Sequence, residues 1–240
     1  MHEEIFNLAE NPFISIQCEG STIGKVSYFI RFYGCNHRCT YCDSSFTFNS
    51  DTETIKISLI DLVKDIQSSK VTNIVITGGE PTLYLDKIIA LVEELEKYDD
   101  SDYTFEIETN GSIELRKEFI DRLWRSGFNF QFNISPKLDY LDDKAYDILK
   151  KNIRTLKFFK ESFILKFVHE VKTEQELFTI IDRLKNDIKY IKDYIYIMPE
   201  CRTRKEHLKN FEFALKFCKQ YNLIFSPRLH ILLYNDLKGV

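Results

Sequence analysis

From residue 58 onward the chain alternates between short runs rich in β-branched and aromatic residues and longer stretches whose apolar positions recur every three or four residues. Leu59, Leu62, Val63 and Ile66 mark one such stretch, and Ile88, Ile89, Leu91, Val92 and Leu95 another. Each is the stripe of a helix lying on a core. The pattern predicts helices over 58–69, 85–98, 113–126 and about 144–156, a further one starting at Thr173, and one from Thr203 to about 221. Ser58, Thr173 and Thr203 each stand three residues before an acidic residue (Asp61, Glu176 and Glu206), the spacing of a capping box. Strands are predicted at 26–32, 73–77, 103–108, 128–134, 163–169 and 194–198. The apolar segment 227–234 reads as a last strand or extended tail.

Strands separated by helices pair in parallel through crossovers, which predicts the α/β class. Right-handed crossovers between sequential neighbours favour an open, curved parallel sheet, a partial barrel. In such architectures ligands bind at the carboxyl ends of the strands. The segments just after the predicted strands are 33–45, 78–82, 109–112, 135–137 and 199–202, and the unusual polar and glycine-containing sequences fall there. A single site at one face of the sheet is the expectation.

At 240 residues the chain suffices for one sizeable core, so a single domain over 1–240 is expected. Only 8 Gly and 5 Pro leave no low-complexity linker to divide it. A formal net charge of −4 argues against a protein that grips a nucleic-acid backbone. No segment approaches about 18 consecutive apolar residues, so no membrane span is expected. The acidic N-terminal sequence lacks the basic and apolar regions of a signal peptide. Six cysteines in this length do not make a disulfide scaffold, and a reducing cytoplasm is the expected compartment.

Three of those cysteines, Cys35, Cys39 and Cys42, form a Cys-x3-Cys-x2-Cys run directly after the strand predicted at 26–32. Three thiolates on one loop can hold three irons of a 4Fe-4S cluster, whereas ordinary electron-transfer clusters take four cysteines. A fourth iron without a protein ligand is free to bind something else. A structural zinc site is the competing reading, with His37 as a fourth ligand. That would require one tight loop to aim four ligands at one ion.

Gly78-Gly79-Glu80-Pro81 follows the next strand, and adjacent glycines permit a close backbone approach to a ligand. Glu108-Thr109-Asn110-Gly111 and Ser135-Pro136-Lys137 end the two strands after that. Lys166 lies within an apolar strand; an inward lysine there needs a carboxylate or a ligand, because a buried unpaired ammonium is costly.

The cysteine spacing followed by G-G-E-P resembles the radical S-adenosylmethionine (SAM) superfamily. Within it, the chain is similar to the 7-carboxy-7-deazaguanine synthase family of queuosine biosynthesis, a tRNA modification pathway. Ser15-Ile16-Gln17-Cys18-Glu19-Gly20 resembles that family's S-I-Q-G-E-G, and Phe29-Ile30-Arg31-Phe32 with Gly34-Cys35-Asn36 its F-x-R-x-x-G-C-N. Cys42-Asp43-Ser44, Thr77 to Pro81, Glu108 to Gly111, Ser135 to Lys137 and Ser226-Pro227-Arg228-Leu229-His230 extend the match in order along the chain. There are two departures. Cys18 stands where glycine is usual, and Arg228 where glutamine is commoner.

The resemblance implies a radical SAM partial (β/α) barrel with modified or reduced helices, a cluster loop at 33–45 and a C-terminal strand or tail at 225–240. It implies a lyase that contracts the ring of 6-carboxy-5,6,7,8-tetrahydropterin to 7-carboxy-7-deazaguanine, with loss of ammonia. Cys35, Cys39 and Cys42 would hold the 4Fe-4S cluster, and Ser44 would contact Mg2+. Tyr41, Cys42, Asp43, Gly79, Glu80, Ser135, Pro136 and Lys137 would contact SAM. Ile16, Gln17, Cys18, Glu19, Arg31 and Thr77 would contact the pterin, Arg31 through its carboxylate. Flavodoxin or ferredoxin would donate electrons to a homodimer. Rival readings are another radical SAM enzyme, such as a glycyl-radical-enzyme activase, and a non-enzymatic zinc or Fe-S module. Cys201 and Cys218 read as free thiols, with Cys201 near the rim of the site.

Overall fold

The computed structural model describes residues 4–98, 102–160, 162–235 and 237. Its strands are β1 (Ile5–Leu8), β2 (Phe13–Ile16), β3 (Val26–Phe32), β4 (Ile55–Ser58), β5 (Asn73–Gly78), β6 (Thr104–Thr109), β7 (Asn129–Ile134), β8 (Ser162–His169), β9 (Ile195–Pro199) and β10 (Ile224–Phe225). The helices are α1 (Leu59–Ser69), α2 (Leu85–Tyr98), α3 (Lys117–Arg125), α4 (Asp143–Phe159), α5 (Glu174–Asp187), α6 (Arg204–Tyr221) and α7 (Leu229–Tyr234). All the strands join one sheet in the order β10-β9-β8-β7-β6-β5-β3-β1-β4, with β2 pairing β3. Every pair from β3 through β10 is parallel, and β1, β2 and β4 are attached antiparallel. The open α/β sheet expected from the strand–helix alternation is therefore present. The short strands β1, β2 and β4 escaped the sequence pattern because four residues carry too few periods to register.

The two faces of the sheet differ in chemistry because side chains alternate along each strand. One face carries Ile30, Phe32, Ile74, Ile76, Phe105, Ile107, Phe132, Leu165 and Phe167, all fully buried beneath the helices. The register brings Glu106 opposite Gln131, Glu108 opposite Asn133, and Arg31 opposite Thr77, so the other face is lined with polar groups. Purely parallel sheets are usually apolar on both faces. Here the inner face is polar at its centre, where the side chains of Gln17 and Thr22 pack onto Glu106.

Three elements differ from the sequence expectation. The helix predicted at 113–126 is confined to α3, because Asn152 of α4 binds the extended backbone before it, accepting from Leu115 N–H at 2.8 Å and donating to Ile113 O at 2.9 Å. The capping box at Thr203 forms on both sides, but the one at Thr173 does not. Thr173 ends a 3-10 turn, and its hydroxyl is turned back to Glu170 O. At Ser58 the hydroxyl accepts from Asp61 N–H at 3.1 Å as expected. The segment expected to be a last strand or tail instead turns into α7 after Pro227, burying Ile231. Of the expected 225–240 tail, residues 236 and 238–240 lie outside the described residues. Among the described residues no helix is long and apolar enough to cross a membrane.

Candidate active site

The cysteine loop leaves β3 at the carboxyl edge of the sheet and is pinned on three sides. Gly34 N–H donates to Thr47 O at 2.7 Å, Tyr84 Oη donates to Tyr33 O at 2.7 Å, and Glu80 N–H donates to Gly34 O at 2.9 Å. Asn36 ties the loop to the next strand end, accepting from Asn110 Nδ2 at 2.9 Å and donating to Ser112 Oγ at 2.8 Å. His37 stacks on Tyr140 with centroids 4.1 Å apart.

The glycines at the end of β5 lie against the end of β3 and this loop. A Cβ on Gly79 would lie 2.1 Å from Gly34 O and 2.8 Å from Cys35 Cβ, and one on Gly78 would lie 2.2 Å from Phe32 O. The sequence leads one to expect a ligand approaching these glycines; in the fold the end of β3 and the cysteine loop pack where their side chains would be. Glu80 is fully buried, and its carboxylate accepts from Thr82 N–H at 3.0 Å, Thr82 Oγ1 at 2.5 Å, Thr109 Oγ1 at 2.7 Å and Asn110 N–H at 2.6 Å. It fastens the G-G-E-P turn to the E-T-N-G turn. Burial pushes its pKa up even against those four donors.

Cys35, Cys39 and Cys42 are half-buried and free of disulfides. Burial raises all three thiols, while the Lys137 ammonium opposes the shift at each of them. Lys137 is held beside them by a 2.9 Å bond to Ser135 Oγ. Among the described residues the ligand-type side chains that converge within 4.8 Å are Glu19, Asp43 and His230, and the three thiols are not such a group. Half-buried thiols on one loop, spread too widely for a single ion and faced by a cation, fit a cluster with one open iron better than they fit zinc. His37, the candidate fourth zinc ligand, stacks on Tyr140 and does not join the thiols in such a group among the described residues.

On the inner face the segment 17–22 crosses the strands and is held by a buried polar network. Glu106 accepts from Gln17 Nε2 at 2.9 Å, Thr22 Oγ1 at 2.7 Å, Asn73 Nδ2 at 2.7 Å and Asn133 Nδ2 at 3.1 Å. Gln17 Oε1 accepts from Cys18 N–H at 2.9 Å and Glu19 N–H at 3.3 Å, so the Gln17 amide is engaged within the protein at both ends. The Cys18 thiol is buried, donates to Ile16 O at 3.3 Å and is pushed up to about 11 by burial and then by Glu19. Cys18 does not adopt a positive φ, so a side chain at this usual glycine position introduces no backbone strain.

Lys166 points inward, donating to Glu108 Oε2 at 2.6 Å and Glu19 Oε2 at 3.0 Å. Burial alone would raise the Glu19 carboxyl; the Lys166 ammonium and then the Arg228 guanidinium outweigh it and hold Glu19 well below the usual carboxylate range. Arg31 Nε donates to Glu10 Oε1 at 2.5 Å, with Phe13 and Phe46 flanking its guanidinium. Thr77 is its cross-strand neighbour. Asp43 accepts from the neighbouring Ser44 hydroxyl at 2.9 Å and from Arg228. Tyr41 and Pro136 line a small cleft with Val168 and Glu170. Cys201 is buried, with its carbonyl accepting from Arg228 at 2.7 Å, and so lies beneath the site instead of on its rim.

Sequence reasoning missed Glu10, Glu106, Gln131 and Asn133. The last three were legible as the polar positions of F-E-I-E-T and F-Q-F-N-I, where acids and amides alternate with aromatics.

Comparison with known proteins agrees with this geometry. The radical SAM superfamily model matches residues 29–211. A 7-carboxy-7-deazaguanine synthase of Clostridium acetobutylicum is 32% identical over 94% of this chain and 95% of its own length. One from Halobacterium salinarum is 28% identical over 93% of this chain and 89% of its own. The crystal structure of QueE from Escherichia coli superposes with a TM-score of 0.66 at 20% identity, covering 94% of this chain and 95% of that one. The structure of anSMEcpe with bound AdoMet superposes with a TM-score of 0.56 at 18% identity, over 80% of this chain and 61% of that one. The 4Fe-4S cluster and SAM are the cofactors this superfamily is built around. The chain belongs to the radical SAM superfamily and, within it, to the 7-carboxy-7-deazaguanine synthase family.

Proposed function

We propose that the protein, as one domain over 1–240, converts 6-carboxy-5,6,7,8-tetrahydropterin to 7-carboxy-7-deazaguanine with loss of ammonia. The observation that carries this reading is the placement of Arg31 on β3. It lies four residues before Cys35, beside Thr77, with only its Nε engaged by the protein among the described residues. The two terminal nitrogens are free to take a substrate carboxylate in a fork, at the edge where the cysteine loop begins.

When bound, the cluster and SAM supply radical hydrogen-atom abstraction, and the protein supplies binding and orientation. Cys35, Cys39 and Cys42 hold the cluster, and Lys137 and Ser135 present a cation and a hydroxyl to SAM beside Tyr41 and Pro136. Gly79 and Glu80 shape the turn that SAM lies against. Glu19, kept ionised by Lys166 and Arg228, accepts hydrogen bonds from the N–H edge of the pterin. Ile16, Gln17 and Cys18 contribute backbone groups, the Gln17 side chain being held by Glu106. The hydroxyl of the half-buried Ser44, next to Asp43, is the protein's oxygen for Mg2+, whose remaining ligands are substrate oxygens and water. A homodimer in the cytoplasm, reduced by flavodoxin or ferredoxin and making no direct contact with nucleic acid or membrane, completes the proposal.

The test is anaerobic turnover of the carboxytetrahydropterin with reconstituted protein, SAM, reductant and Mg2+. Formation of the deazaguanine acid with SAM regenerated is the expected result. Uncoupled SAM cleavage without that product would overturn the assignment. Arg31→Ala is expected to raise KM by roughly 10- to 100-fold, the loss of a charge-assisted pair, while iron content stays at the wild-type value.

A further inference from the structure

Arg228, which stands where the family motif has glutamine, is 7% exposed and forks in three directions. Its Nε donates to Glu19 Oε1 at 3.0 Å, one terminal nitrogen donates to Cys201 O at 2.7 Å, and the other donates to the Asp43 carboxylate. Its backbone is fixed as well. Arg228 N–H donates to His207 Nε2 at 3.0 Å, and Leu229 N–H donates to Cys18 O at 3.0 Å. Glu19 belongs to the segment on the inner face, whereas Asp43 directly follows the cluster ligand Cys42. The carboxylates of these two residues come within 4.8 Å of each other. Two like charges at that separation repel unless a cation lies between them. A glutamine amide is shorter than a guanidinium and uncharged, and cannot fill this place.

We propose that Arg228 is a positioning residue that locks the cysteine loop to the substrate-binding segment, so that retention of the cluster and affinity for the pterin depend on one guanidinium. The substrate half of this proposal rests on the function proposed above, whereas the cluster half stands on the Arg228–Asp43 contact alone. Without Arg228, Glu19 keeps Lys166 as a partner but Asp43 loses the guanidinium that contacts it. The cysteine loop is then pushed away from Glu19 by the repulsion the arginine had cancelled.

The experiment compares reconstituted wild-type protein with Arg228→Gln, Arg228→Lys and Asp43→Asn. It measures thermal unfolding, the rate at which a ferrous chelator strips iron, and binding of 6-carboxytetrahydropterin to the unreduced, SAM-loaded holoenzyme. Arg228→Gln is expected to lose iron at least five times faster and to bind the pterin at least ten times more weakly. Arg228→Lys is expected to be intermediate, because an ammonium reaches one carboxylate but not both. Asp43→Asn keeps Arg228 on Glu19 and Cys201, and is expected to speed iron loss while leaving the unfolding midpoint near wild type. A residue that only anchored α7 would lower the midpoint without changing the rate of iron loss relative to it. Wild-type iron loss in Asp43→Asn overturns the lock, and does so even if the Arg228 variants fail to fold. If the wild-type protein itself does not bind the pterin, it is the functional assignment that fails, and the iron-loss comparison still decides the role of Arg228.

Discussion

Replacing Gly79 by alanine tests whether the G-G-E-P turn exists to admit the cysteine loop. The new Cβ would lie 2.1 Å from Gly34 O, 2.6 Å from Gly34 C and 2.8 Å from Cys35 Cβ, against an ordinary contact near 3.4 Å. None of these atoms can rotate away. Gly79 does not sit at positive φ, so alanine adds no conformational strain and the effect is purely steric. Relief requires residues 34 and 35 to retreat by roughly 1 Å, an overpacking cost of about 1–3 kcal/mol. That retreat also weakens the 2.9 Å bond from Glu80 N–H to Gly34 O, worth about 1 kcal/mol. A total of about 2–4 kcal/mol corresponds to a fall in Tm of roughly 5–15 °C for a domain of this size. The assay is a thermal melt of the apo protein, followed by iron content after reconstitution. Gly24→Ala is the control. Gly24 has φ +87° with nothing within 4 Å of the added atom, so it carries the left-handed penalty of about 1–2 kcal/mol and no clash. Gly79→Ala is expected to melt lower than Gly24→Ala and to bind less iron. A Gly79→Ala protein with wild-type iron content and a melt no lower than the control would refute the steric account.

Two further outcomes are expected. Lys166→Met leaves Glu19 and Glu108 buried without their shared cation and should cost about 3–5 kcal/mol by urea unfolding; adding Glu108→Gln should recover part of the loss. Stability should also fall as pH drops from 7 to 5, in part through His230. Burial pushes its imidazole down to about 4 against the pull of Glu19, so between about 6.5 and 4 the unfolded chain binds a proton that the native state refuses. His230→Gln should flatten that part of the pH profile. An unchanged profile would remove His230 from the account.

The features legible in the sequence were those whose chemistry is local. The cysteine run, G-G-E-P, E-T-N-G and S-P-K each complete a function within a few residues, and each lies at a strand end in the fold. Arg31 was legible because β3 carries it straight to the cysteine loop. The polar lining was only half legible. Lys166 stood out as one charge in an apolar strand, but its direction depended on Glu19, 147 residues away. Glu106 passed unnoticed because its partners Gln17, Asn73 and Asn133 come from three separate segments. The Arg228–Asp43 contact spans 185 residues, and no spacing rule reaches that far. The helix expected at 113–126 was shortened by a tertiary competitor, the Asn152 amide, which periodicity does not register.

The segment 17–22 and the chain after β10 meet across the open side of the sheet. Gly20 N–H donates to Ser226 Oγ at 2.9 Å, and Leu229 N–H donates to Cys18 O at 3.0 Å. During synthesis, therefore, the sheet through β9 and the whole cysteine loop are made before Ser226, Arg228 and Leu229 exist. The contacts that close around Glu19 are the last on this face that translation completes. A nascent chain passes through an interval in which it has the whole three-cysteine loop but not yet the arginine that joins Asp43 to Glu19.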